Sequence, residues 1–312
     1  MINNIGLIGA GSVGSAMFSL IHKADPEHTY LLAKGNRALR LREKGISVNN
    51  EIMHPVIYAD PAQQIHLDLL IIVVKTYSLD SVMEDMADLI SEDTILLPLQ
   101  NGIRTTERLK SRFPGNRVLY GTVQRTDAHR IGHRVYYNTL GETKIGYADN
   151  REIKPEVAQV HERLKKLGIN IKIYEDMRRV QWLKWMLNTG ASQVAAETGV
   201  ECGFFGMVPE IPELMALCMD EILMLAECEK VNVTKKDRDE IIDILISYPP
   251  DKKMSMLQDL EAGRTTEIEE YAGTVIELGK KHGIDTPINK VLYLAITARE
   301  KIGIIRRKSM SS

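Results

Sequence analysis

Gly9-Ala10-Gly11-Ser12-Val13-Gly14 stands between an apolar run, Ile5-Gly6-Leu7-Ile8, and an amphipathic one, Ser15 to Ile21. That order reads as strand, tight glycine turn and helix. The first glycine permits the turn, the second lets the backbone approach a pyrophosphate, and the third allows close packing of helix on strand. Bound phosphates then sit at the positive end of the helix. A glycine turn made only for packing is the alternative. Correct placement between strand and helix favours the dinucleotide site.

The pattern that follows alternates strands and helices through the first half. Strands are expected at Ile5–Ile8, Thr29–Ala33, Ile46–Val48, Val56–Tyr58, Leu69–Val74, Thr94–Leu97 and Val118–Gly121, and helices at Gly14–Lys23, Arg37–Lys44, Leu79–Ile90 and Thr105–Phe113. Leu69 to Val74 is apolar without alternation, as a central parallel strand covered on both faces should be. The order argues for an α/β, doubly wound parallel sheet. A β-rich annex follows, with Arg134–Tyr137 and Lys144–Tyr147 flanking a turn at Gly141, then a helix at Pro155–Leu167 and a strand at Ile169–Tyr174. Beyond about residue 176 strand signals vanish. Helices are expected at Met177–Ala196, Ile211–Glu229, Lys235–Ser247, Ser255–Glu261, Thr266–His282 and Pro287–Lys301. Two domains are therefore expected: residues 1–175, which bind the dinucleotide, and an all-α domain, residues 176–312.

A chain of 312 residues, 44% hydrophobic and 26% charged, has the make-up of an ordinary globular protein of that size. Its net charge of −2 creates no global field for nucleic acid or membrane. The basic positions Lys301, Arg306, Arg307 and Lys308 read as a frayed, solvated tail. Cys202, Cys218 and Cys228 show no metal-ligand spacing, so no metal is expected, and free thiols suit a reducing cytoplasm. With a strand at the very start, no signal peptide is expected. The longest apolar run, Leu67 to Val74, is too short to span a bilayer.

The choice of dinucleotide turns on the end of the second strand. An acidic residue about 20 positions past the glycines bonds the ribose 2′-hydroxyl of NAD. Here that region is Leu31-Leu32-Ala33-Lys34-Gly35-Asn36-Arg37, with Arg40 beyond and no carboxylate between Tyr30 and Arg42. Lys34 and Arg37 suit a 2′-phosphate through charge-assisted bonds, so NADP(H) is expected. A solvated helix face is the alternative.

Other polar residues fall where ligands bind, outside the carboxyl ends of strands. Lys75 follows Val74, and Asn101 lies in Gln100-Asn101-Gly102 after the strand ending at Leu97. A snorkelling lysine and a plain turn pair are their structural alternatives. In the helical half, Lys184, Asn188 and Ser192 recur at i, i+4 and i+8 and share one helix face among apolar neighbours. A lysine in such a pocket gives up its proton more readily. Gly263 reads as a helix stop, and Thr266 with Glu269 as a capping box, which places Glu267 in a first turn.

Taken together, these segments resemble the ketopantoate reductase (2-dehydropantoate 2-reductase) family over nearly the whole chain. The marks are Gly9-x-Gly11-x-x-Gly14, Val74-Lys75, Gln100-Asn101-Gly102, Ile131-Gly132-His133 with Lys144-Ile145-Gly146, Lys184-x-x-x-Asn188, and Ser255-Met256-Leu257-Gln258-Asp259 with Thr266-Glu267. The resemblance implies a Rossmann-type domain, a helical domain and NADPH-dependent reduction of a 2-keto acid, ketopantoate being the best single substrate. It implies Lys184 as general acid, with Asn101 orienting cofactor and carbonyl. Asn188 and Ser255 would hold the two ends of the substrate, and Glu267 would anchor cofactor ribose or substrate. Two positions depart from the family pattern: Ser192 stands where a second Asn is usual, and Lys252 where Asn is frequent. They leave room for a different 2-keto acid. A non-catalytic NADPH-binding regulator is the reading from another class. The Met-rich helices between Met207 and Met256 suit either a core or a homodimer contact.

Overall fold

The computed structural model describes residues 2–311. Its internal contacts divide the chain into two compact units, Met1–Val180 and Gln181–Ser312. The first unit runs β1 (Ile5–Ile8), α1 (Ser12–Ala24), β2 (Thr29–Leu32), α2 (Gly35–Lys44), β3 (Ile46–Val48), β4 (Glu51–Met53), β5 (Val56–Tyr58), β6 (Leu69–Ile72), α3 (Leu79–Ala87), β7 (Ile95–Pro98) and α4 (Thr105–Arg112). It continues with β8 (Tyr120–Gln124), β9 (His129–Ile131), β10 (Arg134–Tyr136), β11 (Glu142–Gly146), α5 (Pro155–Lys166) and β12 (Ile171–Ile173).

Five strands form a parallel sheet in the order β5-β2-β1-β6-β7. The expected doubly wound architecture is present, and the reason is legible in β6. Its four residues are wholly buried. Leu69 and Ile71 join the core that α1 closes with Met17, Phe18 and Ile21. Leu70 and Ile72 join the opposite core, closed by Val82, Met83 and Met86 of α3 and Leu109 of α4. Burying each such side chain stabilises by about 1.5–3 kcal/mol, so a strand apolar at every position needs a cover on both faces.

The annex differs from the single turn expected around Gly141. β10 and β11 enter separate sheets, ordered β4-β3-β10-β9 and β12-β11-β8. β10 finds a closer partner in β3, pairing Arg134 with Ser47 and Val135 with Val48. The Asn49 side chain then accepts from the Tyr137 N–H at 3.0 Å and donates to the Tyr137 carbonyl at 2.9 Å, which closes that ladder. The β3–β10 sheet packs against α1.

The remaining elements are α6 (Met177–Thr198), α7 (Glu210–Cys228), α8 (Lys235–Ile246), α9 (Ser255–Glu261), α10 (Thr274–His282) and α11 (Pro287–Ser311). The division between the units falls inside α6. A buried polar network holds the helical unit together. The Glu221 carboxylate on α7 accepts from the backbone N–H groups of Ile288 and Asn289 at the start of α11, at 2.7 and 3.0 Å. A helix N-terminus favours that negative charge. The Asn289 side chain donates to Glu221 and to the Cys218 carbonyl, and it accepts from Gln193 of α6. Burial, with Glu221 nearby, pushes the Cys218 thiol up and keeps it protonated.

Two local expectations fail here. The segment after Gly263 starts with bonds from the Glu270 and Tyr271 N–H groups to the Glu267 carbonyl, and a π-turn follows over Glu269–Gly273, where the Gly273 N–H reaches back to the Ile268 carbonyl at 3.1 Å. The Glu269 carboxylate accepts from the Tyr293 hydroxyl of α11 rather than from Thr266. Thr266 instead donates its N–H and hydroxyl to Glu300 of α11, at 2.8 and 2.7 Å. The basic C-terminal positions are also not frayed. α11 continues past Lys301, and Arg307 donates to the Ala262 carbonyl at the end of α9, at 3.2 Å. A cation at a helix C-terminus is favourable. The side chain of Lys308 lies outside the described residues. Among the described residues no helix is long and apolar enough to cross a membrane.

Candidate functional site

Strand register assembles a candidate site in the first unit. Leu32 of β2 pairs with Ile8 of β1, Ile8 with Ile72 of β6, and Ile72 with Pro98 of β7. Four neighbouring strands thus end on one line. Lys34, Gly9, Lys75 and Asn101 all follow within three residues of it. The strand order reverses between β1 and β6, and the crevice outside such a reversal is where open α/β sheets bind ligands.

Geometry gives each glycine of the loop a distinct task. Gly9 adopts φ +112°, and a Cβ there would lie 2.3 Å from the Val73 carbonyl oxygen at the end of β6. A Cβ on Gly14 would lie 1.9 Å from the Gly9 carbonyl oxygen. Both positions are closed by backbone, as tight turn and close helix packing demand. A Cβ on Gly11 would meet nothing within 4 Å. The loop is therefore closed at its first and last glycines, Gly9 and Gly14, and open at Gly11 between them. α1 begins at Ser12, with Gly11 as its N-cap and no side-chain cap bond. Ala10, Ser12 and Val13 lie between these glycines. These residues fit a dinucleotide diphosphate, because orphan N–H groups and the helix dipole both favour an anion there.

Lys34 caps the N-terminus of α2, and Arg37 lies exposed in its first turn. One neighbour was invisible in the local sequence: Asp88, at the end of α3, lies 3.6 Å from the Lys34 ammonium. Asp88 is largely exposed, and such surface pairs contribute ~0–1 kcal/mol, so a phosphate dianion would displace it.

Lys75 and Asn101 are both half-buried and both engaged in interactions of their own. Sequence reasoning treated Gln100 only as part of a turn. It is buried, and neither its amide nitrogen nor its amide oxygen has a hydrogen-bond partner. An unpaired buried amide costs about 1–3 kcal/mol, which a polar partner at this position would recover.

The helical unit carries its own set of candidate residues. On α6, Lys184 and Asn188 are half-buried while Ser192 is fully buried, its hydroxyl without a partner. The stripe therefore runs from partly open to closed along one helix face. Next to Lys184, the Trp185 indole N–H donates to the Glu270 carbonyl at 3.0 Å, which ties α6 to the π-turn. π-turns inside helices are frequent at functional sites.

Around that turn Ser255 and Glu267 come together with residues the sequence did not single out. Glu267, Glu270 and Asp259 are all buried, as is Tyr271. Burial first, then the charges of Glu267, Glu270 and Asp259, hold the Tyr271 hydroxyl well above its ordinary range, with the Ser255 hydroxyl working against them. Asp259 is paired with Arg264 at 2.8 Å. No local periodicity could reveal this cluster, because α9 and the π-turn approach only in the fold. Lys252 does not pair with a carboxylate among the described residues; its ammonium stands 3.7 Å over the Tyr248 ring.

A family model described as ketopantoate reductase PanE/ApbA matches residues 5–150, and one described as ketopantoate reductase PanE/ApbA C terminal matches residues 176–300. The 2-dehydropantoate 2-reductase of Aquifex aeolicus is 26% identical over 307 residues, which cover 96% of this chain and 98% of that protein. Among solved structures, a dimeric ketopantoate reductase from Staphylococcus aureus has a TM-score of 0.79 at 21% identity, covering 96% of this chain and 99% of its own. A D-mandelate dehydrogenase with NADH and anilino(oxo)acetate has a TM-score of 0.84 at 22% identity, with the same coverage.

Proposed function

Because the chain belongs to the ketopantoate reductase family, we propose that it reduces a 2-keto acid to a 2-hydroxy acid at the expense of NADPH, with ketopantoate as the leading substrate. The observation that carries this reading is the loop closed at Gly9 and Gly14 and open at Gly11, on the same strand-end line as Lys34, Lys75 and Asn101. In this reading residues 1–175 hold the cofactor, and residues 176–312 carry the catalytic lysine and, apart from Asn101, the side chains that bind substrate.

When bound, the reduced nicotinamide supplies the hydride. The chain's own residues do the rest. The Lys184 ammonium stabilises the charge that builds on the carbonyl oxygen and then donates its proton there. Asn101 and Asn188 offer amide donors and acceptors to the carbonyl and hydroxyl groups of the substrate. Ser255 donates to the carboxylate. Glu267 anchors a ribose hydroxyl or the substrate.

Substrate identity is the finer question, and two residues bear on it. Ser192 offers one buried hydroxyl where the family pattern has an amide, and Lys252 is committed to a tyrosine face. A homologous fold also serves a D-mandelate dehydrogenase. The test is loss of reduced-cofactor absorbance over a panel of branched, aryl and unbranched 2-keto acids. Turnover is expected, fastest with a branched acid. Tight NADPH binding with no turnover on any of them would replace this reading with that of a regulator. A homodimer, as in the Staphylococcus aureus protein, belongs to the same proposal.

Cofactor choice has its own test. Lys34→Asp combined with Arg37→Ala is expected to weaken NADPH about 10- to 100-fold, the worth of a charge-assisted bond or two, and to spare NADH. Unchanged NADPH affinity would remove both residues from the 2′-phosphate and point to NADH instead.

A further inference from the structure

One cation reaches the glycine loop from far along the chain. The Arg130 guanidinium on β9 donates from Nη2 to the carbonyl oxygen of Ala10 at 2.6 Å, across 120 positions of sequence. Ala10 lies between Gly9, closed by backbone, and Gly11, open to solvent. Arg130 itself is exposed.

The arm that carries Arg130 is braced. β9 pairs antiparallel with β10, with Arg130 opposite Val135, and β10 is joined to β3 in the sheet that packs on α1. At its base the Asp127 carboxylate accepts from the backbone N–H groups of Asn138 and Thr139, at 3.0 and 2.9 Å. Hydrogen bonds to the charged form hold the Asp127 carboxyl below its usual range despite some burial. A long side chain on a braced arm spends less entropy on holding one position than a surface arginine would.

We propose that Arg130 is a cofactor-binding residue that clamps the diphosphate bridge of the dinucleotide over Gly11. This rests on the dinucleotide reading above. The guanidinium is planar, always charged, and presents several N–H donors in a fork that matches phosphate oxygens. Anchoring one donor on the loop carbonyl places that charge one residue from the open glycine. The loop's own N–H groups and the helix dipole complete the anion site. Lys34 and Arg37 serve a different phosphate, at the end of the neighbouring strand β2.

The alternative is a strut that merely shapes the loop. Arg130→Gln separates the two, because glutamine keeps a donor for the Ala10 carbonyl but carries no charge. Dissociation constants are measured for NADPH, NADH, ADP and adenosine 2′-monophosphate with the wild type, Arg130→Ala, Arg130→Gln and Arg130→Lys. Alanine and glutamine are expected to weaken NADPH, NADH and ADP about 10- to 100-fold while leaving adenosine 2′-monophosphate unchanged. Lysine should recover part of the loss. Wild-type affinity in Arg130→Gln, or an equal loss for adenosine 2′-monophosphate, overturns the clamp. A wild type that binds neither NADPH nor NADH sinks the dinucleotide reading itself, and the clamp with it.

Discussion

Lys184→Ala is expected to lower turnover by ~10²–10³-fold and to leave the NADPH dissociation constant unchanged. A 2-keto acid gains a full negative charge on its carbonyl oxygen as hydride arrives. A positioned ammonium interacts with that charge far more strongly than with the ground-state carbonyl, so its removal acts on kcat rather than on cofactor binding. The same helix face carries Asn188 and Ser192, and Trp185 locks its position by bonding the Glu270 carbonyl. Alanine keeps that face helical, so the loss reads on the ammonium alone. Stopped-flow hydride transfer and equilibrium cofactor titration check the two halves separately. Near-normal transfer in the variant would take Lys184 out of the mechanism.

A second large effect is expected at the glycine loop, and it splits by position. Gly14→Ala would drive a methyl group against the Gly9 carbonyl oxygen, 1.9 Å away. Neither atom sits on a flexible side chain, so helix and strand must separate. A cost of about 3 kcal/mol or more is expected, with a fall in melting temperature on the order of 10 °C. Gly11→Ala meets nothing in the protein. Its melting temperature should stay at the wild-type value while NADPH affinity falls, because the new methyl group occupies the face a phosphate needs. Calorimetric melts of the two variants beside NADPH titrations test both. A Gly14→Ala protein as stable as the wild type would contradict the packing, and unchanged NADPH affinity in Gly11→Ala would contradict the phosphate position.

Much of the fold was legible in particular residues. The unbroken Leu69-Leu70-Ile71-Ile72 run announced a strand with two covers, and both covers are present. The glycine hexapeptide announced strand, turn and helix, because each glycine answers a backbone demand made within a few residues. The i, i+4, i+8 stripe of Lys184, Asn188 and Ser192 announced one helix face. Where expectation failed, the competing partner came from afar. Glu300 replaced Glu269 as the carboxylate at Thr266. β3 replaced the local turn as the partner of β10. Tyr293 of α11, in turn, occupies the Glu269 carboxylate that a capping box would have used.

Read alone, the chain determined what depends on period and backbone freedom: the helices and the five strands of the parallel sheet, which face of each is apolar, and where the loop must be glycine, whereas the short strands β4 and β9 carried no such period. Only the tertiary structure decided which polar groups meet. It brought Asp88 to Lys34, Arg130 to the Ala10 carbonyl, and three buried carboxylates to Tyr271. The physical reason is that periodicity tells a side chain which way to face but carries no information on what it will face. That choice is made by strand order and helix packing, which join residues a hundred positions apart and place them within a hydrogen bond of one another.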